Sequence, residues 1–327
     1  MSMFMRFALI SLSLLSPPLA TSYSAAATAG DFNDAEFVQN GIRTRFFRSG
    51  DGYLIETDGP DGRMTRYPVH SVVGIEPLQQ YLLETEPGRL QSFDVVWDTE
   101  NNRWYHLYPD QELFAGDGLH WTGVYKNWNA RCAECHATNF QKNYTPLDRS
   151  YSSIQSEIGV GCEACHGPGS KHVEWAKRPV FARPQLENYG LTKPTDSLSP
   201  EQQIAICAPC HSRRYQLGDN DHQYSDLLDL MVPSLLTEGL YHPDGQILEE
   251  VYVYGSFVQS KMYRHGVRCS DCHDSHDLKP HKKDNQLCLQ CHRAEEYDTK
   301  THHFHEKTFK GKHSSGYLCV KCDMTRQ

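Results

Sequence analysis

Six Cys-x-x-Cys pairs punctuate the chain from residue 132 onward, and five of them run directly into a histidine. These are Cys132-Ala-Glu-Cys135-His136, Cys162-Glu-Ala-Cys165-His166, Cys207-Ala-Pro-Cys210-His211, Cys269-Ser-Asp-Cys272-His273 and Cys288-Leu-Gln-Cys291-His292. Two intervening residues hold both sulfurs on one side of a tight turn, where thiols can add across two porphyrin vinyl groups. The adjacent imidazole then projects under the ring as proximal iron ligand, which is the attachment chemistry of haem c. Histidine is 18 of 327 residues, so five successes in six pairs have a chance probability on the order of a few in a million. Structural zinc explains the CxxC spacing but does not require His at the next position. A redox dithiol needs a βαβ setting that these flanks lack, and disulfides across such short loops gain little. The expectation is about five covalent haems c.

A sixth pair, Cys319-Val-Lys-Cys322, is followed by Asp323 instead of histidine. Asp323 cannot replace an imidazole as an iron ligand of comparable strength, so a sixth haem at Cys319 and Cys322 is not expected. A free dithiol or strained disulfide is the preferred reading.

An electron-carrying haem usually has a second protein ligand, and thirteen histidines lie outside the motifs. His172 and His276 follow their own motifs too closely to cross the porphyrin plane, so each would serve a neighbouring haem. His120, in the apolar "GDGLHWTG", is a further candidate, as are His302, His303 and His305 in "THHFH". His106 and His70 read as strand residues, and His222, His281 and His313 as surface residues.

These motifs must be held by elements of two kinds. "IRTRFFRSGDGYLIETDGPDGRMTRYPVH" alternates apolar and polar residues between Gly-Asp turns and predicts three antiparallel strands. "RLQSFDVVWDTENNRWYHLYP" repeats the pattern, and "EPLQQYLLE" between them reads as a short helix. From about Tyr125 the chain is loop-rich, with short helices, one of them capped by Ser199 and carrying the third motif. The expected fold is therefore α+β: a small N-terminal antiparallel β-sheet over residues 28–124, then a multihaem domain of short α-helices and loops over 125–327. The second half lacks long apolar runs (mean hydropathy −0.62 for the whole chain), so its core needs the haems as filler.

Residues 1–27 have the layout of an export signal: Arg6, a short apolar stretch, Pro17-Pro18 and a small-residue box at Ala25-Ala26-Ala27. Haem c is attached after export, so leader and motifs agree on a periplasmic location. The alternative is an uncleaved leader; no other membrane span is expected. A net charge of −9 argues against nucleic acid and anionic membranes as partners.

The stretches "DFNDAEF", "RFFRSGDGYLIETDGPDG", "LHWTGVYKNWNARCAECHATNFQKNY", "SEIGVGCEACHGPGSKHVEWA", "GSFVQSKMYRHGVRCSDCHDSH", "LCLQCH" and "HHFH" together resemble exported multihaem cytochromes of the cytochrome c-554 / c-552 type, some of which carry tetratricopeptide repeats. The resemblance spans most of Asp31 to Cys322. It implies closely packed haems, mostly with two His ligands, in periplasmic electron transfer. It also supports His172, His276 and the "HHFH" group as distal ligands, and His120 less firmly. Two departures stand out. The family's CxxCH upstream of "DFNDA" is replaced by the leader-like stretch, and its CxxCHMP is Cys322-Asp323-Met324-Thr325 here, so both ends look abbreviated. The leading function is single-electron transfer with redox partner proteins. The alternative is a reductase of a small nitrogen or sulfur oxyanion at one open haem, though the CxxCK variant that marks many such haems is missing.

Overall fold

The computed structural model describes residues 22–24, 28–193, 198–218, 226–277 and 279–323. The expected leader therefore lies outside the described residues except for Ser22–Ser24, and His222 lies outside them altogether. The described chain forms two compact units. One contains the described residues up to 235 with Tyr252–Gly255, and the other contains Leu236–Val251 and the described residues from 256 onward.

The first unit is built on a nine-stranded antiparallel sheet. Its strands are β1 (Ser22–Ser24), β2 (Asn33–Gln39), β3 (Ile42–Ser49), β4 (Gly52–Asp58), β5 (Met64–Val73), β6 (Leu78–Glu86), β7 (Arg89–Ser92), β8 (Val95–Asp98) and β9 (Arg103–His106). The order is β2-β3-β4-β5-β6-β8-β9, with β1 added on β5 and β7 on β6. Asn40 and Gly41 both take positive φ and join β2 to β3 with Gln39 opposite Ile42, the two-residue hairpin whose twist matches its strands.

The sheet is thus far larger than the small one expected, and "EPLQQYLLE" is strand β6 instead of a helix. Tyr81, Leu82 and Leu83 are all buried because β6 is covered on both faces, which erases the alternation that identifies a half-buried strand. On one side an aromatic cluster forms the main core: Phe46 stacks on Trp104 with centroids 3.6 Å apart, and Phe32 meets Phe46, Tyr53, Tyr81 and Trp104 edge-on. Gly30 is tied to that cluster, since a Cβ there would lie 2.4 Å from the Tyr81 hydroxyl.

Val73 and Leu82 belong to a second cluster with Trp128, Ala133, Ala137 and Phe140. The sheet therefore packs directly against the segment that carries the first motif. The later helices are short. α1 is Trp128–Arg131, α2 Ala133–His136, α3 Cys162–His166, α4 Ser170–Ala176 and α5 Pro200–His211. α5 opens with the expected Ser199 cap: the Ser199 side chain accepts from the Gln202 amide, and Gln202 reciprocates.

The second unit has almost no core of its own. Among its described residues only Tyr241 and Val251 are buried hydrophobics. No helix among the described residues is long and apolar enough to cross a membrane.

Candidate haem sites

The chain segment before the first motif is locked to the sheet by buried amides. Gln91 on β7 donates to the carbonyls of Trp121 and Gly123, at 3.1 and 2.9 Å, and accepts from Asn127 at 3.2 Å. Asn129 accepts from the Leu90 amide and donates to Gly88 O and Ser153 Oγ. Asn127 also caps α1 by accepting from the Ala130 amide. Lys126 reaches Asp94 at 2.8 Å and sits 3.9 Å from the centre of the Tyr108 ring. These contacts account for Lys126, Asn127 and Asn129 of "YKNWNARC", and the alternation of amides around Trp128 was their only trace in the sequence.

Every CxxC pair lies in a helical turn, α-helical in the first three motifs and 3-10 in the last three. In the first, Cys135 N and His136 N donate to Cys132 O at 3.1 and 3.2 Å; in the fifth, Cys291 N and His292 N donate to Cys288 O at 3.1 and 3.0 Å. The second motif is helix α3, the third ends α5, and the fourth closes with Cys272 N on Cys269 O at 3.2 Å. Residues three apart on such a turn share a face, which is the placement that two thioether bonds to one porphyrin need. None of the twelve cysteines is held in a disulfide. Burial pushes the Cys132 thiol up to about 11 and, with neighbouring Cys319, does the same for Cys288.

The motifs gather within each unit. In the first unit the Cys135 thiol donates to the Pro209 carbonyl at 3.7 Å, linking motifs one and three, and the neighbouring Cys135 raises the Cys210 thiol. In the second unit Asn285, three residues before Cys288, accepts from the Cys319 amide at 2.9 Å, linking motifs five and six. Motif six closes like its siblings, with Cys322 N and Asp323 N on Cys319 O at 3.1 and 2.9 Å.

The candidate distal ligands divide by what holds their nitrogens. His120 is 3% exposed, with Nδ1 hydrogen-bonded to Thr122 Oγ1 at 2.7 Å and Nε2 to Asp58 Oδ2 at 3.0 Å. Both its nitrogens are engaged in tying a loop to β4. His172 on α4 has Nδ1 bonded to the Tyr189 carbonyl at 3.0 Å. That contact fixes the proton on Nδ1 and leaves Nε2 as the nitrogen with a lone pair, the arrangement seen around metal-ligating imidazoles. The carbonyl is presented by a turn in which Asn188, Tyr189 and Gly190 all have positive φ, a costly conformation for the two non-glycines.

His303 has a buried Nε2 without a hydrogen-bond partner, 3.8 Å from Asp298. Its Nδ1 accepts from the His305 amide at 3.2 Å, so ligation through Nε2 requires that contact to give way. His302 packs edge-on against Tyr297, which packs edge-on against His292 of motif five, at 5.2 and 4.9 Å. His305 lies against Gly316. His276 lies in the turn after motif four, its amide donating to Asp274.

Two residues escaped the sequence. His281, read as surface, donates from Nε2 to the Ser270 carbonyl at 2.8 Å and from its backbone amide to Cys272 O; it clasps motif four. Asn285, 5% exposed, donates to Asp298 and Tyr317 O and accepts from the Cys319 amide at 2.9 Å. Nothing in its sequence context distinguishes it.

The residues fit haem on three counts: a helical turn at every motif, the poor core of the second unit, and large apolar side chains left exposed, such as Phe181, Leu235 and Phe304. A bound haem would supply a one-electron iron couple at each turn and a large apolar plate to bury.

Residues 102–167, which span the first two motifs, match the family model for cytochrome c554 and c-prime. The chain is also 23% identical over 186 residues to the multiheme cytochrome MtrA of Shewanella baltica (strain OS185), covering 49% of this chain and 51% of that one. It thus spans about half the length of that curated relative. The crystal structure of the outer cell wall cytochrome OcwA superposes with a TM-score of 0.43 at 16% identity, over 71% of this chain and 57% of the other. Motifs, matched model and curated relative agree on one class: the chain is a multihaem c-type cytochrome.

Proposed function

We propose that the chain is an exported, periplasmic cytochrome that passes single electrons between redox partner proteins through about five covalently bound haems. The observation that carries this reading is the adjacency of attachment turns inside each unit: the Cys135 thiol donates to the Pro209 carbonyl of motif three at 3.7 Å, and Asn285, beside motif five, accepts from the Cys319 amide of motif six at 2.9 Å. Attachment points that adjoin bring their cofactors near one another, and short separations are what electron exchange requires. The cysteines named above form the thioethers, and His136, His166, His211, His273 and His292 bind iron from the proximal side. His172 is the distal ligand the geometry favours most. His276 and one residue of His302, His303 and His305 fill further distal positions, while His120 serves the sheet. The organisation we propose is a leader over 1–27, a β-rich part over 28–124 and the haem-bearing part over 125–327.

The experiment is haem quantitation by pyridine haemochrome and intact mass, followed by electron paramagnetic resonance of the oxidised protein. Five haems, all low-spin, are expected. A count of two or fewer refutes the proposal. One high-spin haem that binds nitrite or hydroxylamine would instead make the chain a reductase.

A further inference from the structure

Arg214 lies three residues past His211, at the start of a strand, and its side chain turns back onto two attachment turns at once. Its guanidinium is 2.9 Å from Glu134 Oε2, with both side chains 12% exposed. The same terminal nitrogen lies 3.4 Å from Cys135 Sγ, and Nε donates to the Pro209 carbonyl at 2.6 Å. Glu134 is the residue before Cys135 in motif one, and Pro209 the residue before Cys210 in motif three. A second bond, from Lys142 Nζ to Gln216 Oε1 at 2.6 Å, fixes the same strand to the chain leaving motif one. Arg214 is thus held in one place, with a permanent positive charge beside a thioether sulfur and a carboxylate on its other side.

We propose that the Arg214–Glu134 pair sets the reduction potential of the haem carried by Cys132 and Cys135, and of its neighbour at motif three. The inference rests on haem being attached there. Reduction adds one electron to the iron centre, so a nearby cation favours the reduced form and a nearby anion opposes it. In water such effects are screened; at this burial they are not. Paired, the two charges largely cancel. Losing either partner exposes the haem to the other, and the two losses act in opposite directions. A guanidinium suits this position because it stays charged at every relevant pH and can bond the carboxylate, the sulfur and the carbonyl together. The pair therefore does two things: it fixes the spacing of two attachment turns and holds their potentials between the values either charge alone would impose.

The test is a spectroelectrochemical titration of the purified holoprotein, with dithionite and ferricyanide as titrants, on native, R214Q, E134Q and the double variant R214M/E134L. R214Q should move one or two of the resolved haem components to lower potential, and E134Q should move the same components higher. The double variant should return them towards native, and the other components should stay in place in all three. Haem content is measured alongside. Native protein without covalent haem overturns the functional reading itself. Native haem content with no shift, or shifts of the same sign in R214Q and E134Q, overturns only the role of the pair. Should R214Q lose haem, E134Q decides alone, since its amide keeps the shape of the Glu134 side chain and a hydrogen bond to Arg214: a rise supports the proposal and no change refutes it.

Discussion

Replacing Lys126 by methionine tests how the sheet holds the first attachment turn. Lys126 Nζ is 2.8 Å from Asp94 Oδ1, and the two side chains are 11% and 4% exposed. Methionine keeps most of the stem and a contact with Tyr108 but strands the carboxylate. Breaking a buried ion pair from one side costs about 3–5 kcal/mol. Asp94 can relieve part of this by taking a proton, because burial already holds its pKa above the usual carboxylate value despite Lys126. That places the cost at neutral pH near the lower end, about 3 kcal/mol. At about 2–4 °C per kcal/mol for a unit of this size, thermal unfolding should begin about 6–12 °C lower. The pH dependence follows from the sign. A carboxyl whose folded pKa is raised favours the fold below its unfolded pKa, and this stability is lost as pH rises through the folded pKa. The variant raises that pKa further, so the gap between K126M and native should narrow as pH falls towards about 4. Circular dichroism melts across that range provide the assay. A loss under about 2 °C at neutral pH, or a gap that widens in acid, would refute the reasoning. K126M/D94L should recover most of the loss.

Three other outcomes are expected. G190V puts a branched side chain at φ +84 with its Cβ 3.2 Å from the His172 amide nitrogen; it should disturb the Tyr189 carbonyl and convert one haem from low to high spin, read by paramagnetic resonance with haem content unchanged. N285A removes three hydrogen bonds, one of them to the Cys319 amide; it should cost about 2–4 kcal/mol, seen as a lower urea midpoint for the transition of the second unit, and an unchanged midpoint would show that water replaces the amide. D323H acts on a turn that already closes like motif five, so intact mass should show one additional haem, while an unchanged mass would mean that more than one residue disables the pair.

What could be read from the sequence is local. CxxCH places two thiols and an imidazole within five contiguous residues, the set that covalent haem attachment needs. The hairpin with Gly50-Asp51 at its tip was legible for the same reason, as was the Ser199 cap. What the tertiary structure alone decided involves residues far apart in the chain. β6 looked helical because its burial on both faces comes from neighbouring strands and erases the period of two. His120 looked like a ligand until Asp58, 62 residues away, and Thr122 took its two nitrogens. Arg214 gave no signal at all, because its carboxylate and sulfur lie about eighty positions earlier. Motif spacing along the chain says nothing about which turns touch; contacts across the chain pair one with three and five with six. Covalent attachment is written in adjacent residues, whereas distal ligation, charge pairing and cofactor proximity depend on which faces the folded chain brings together.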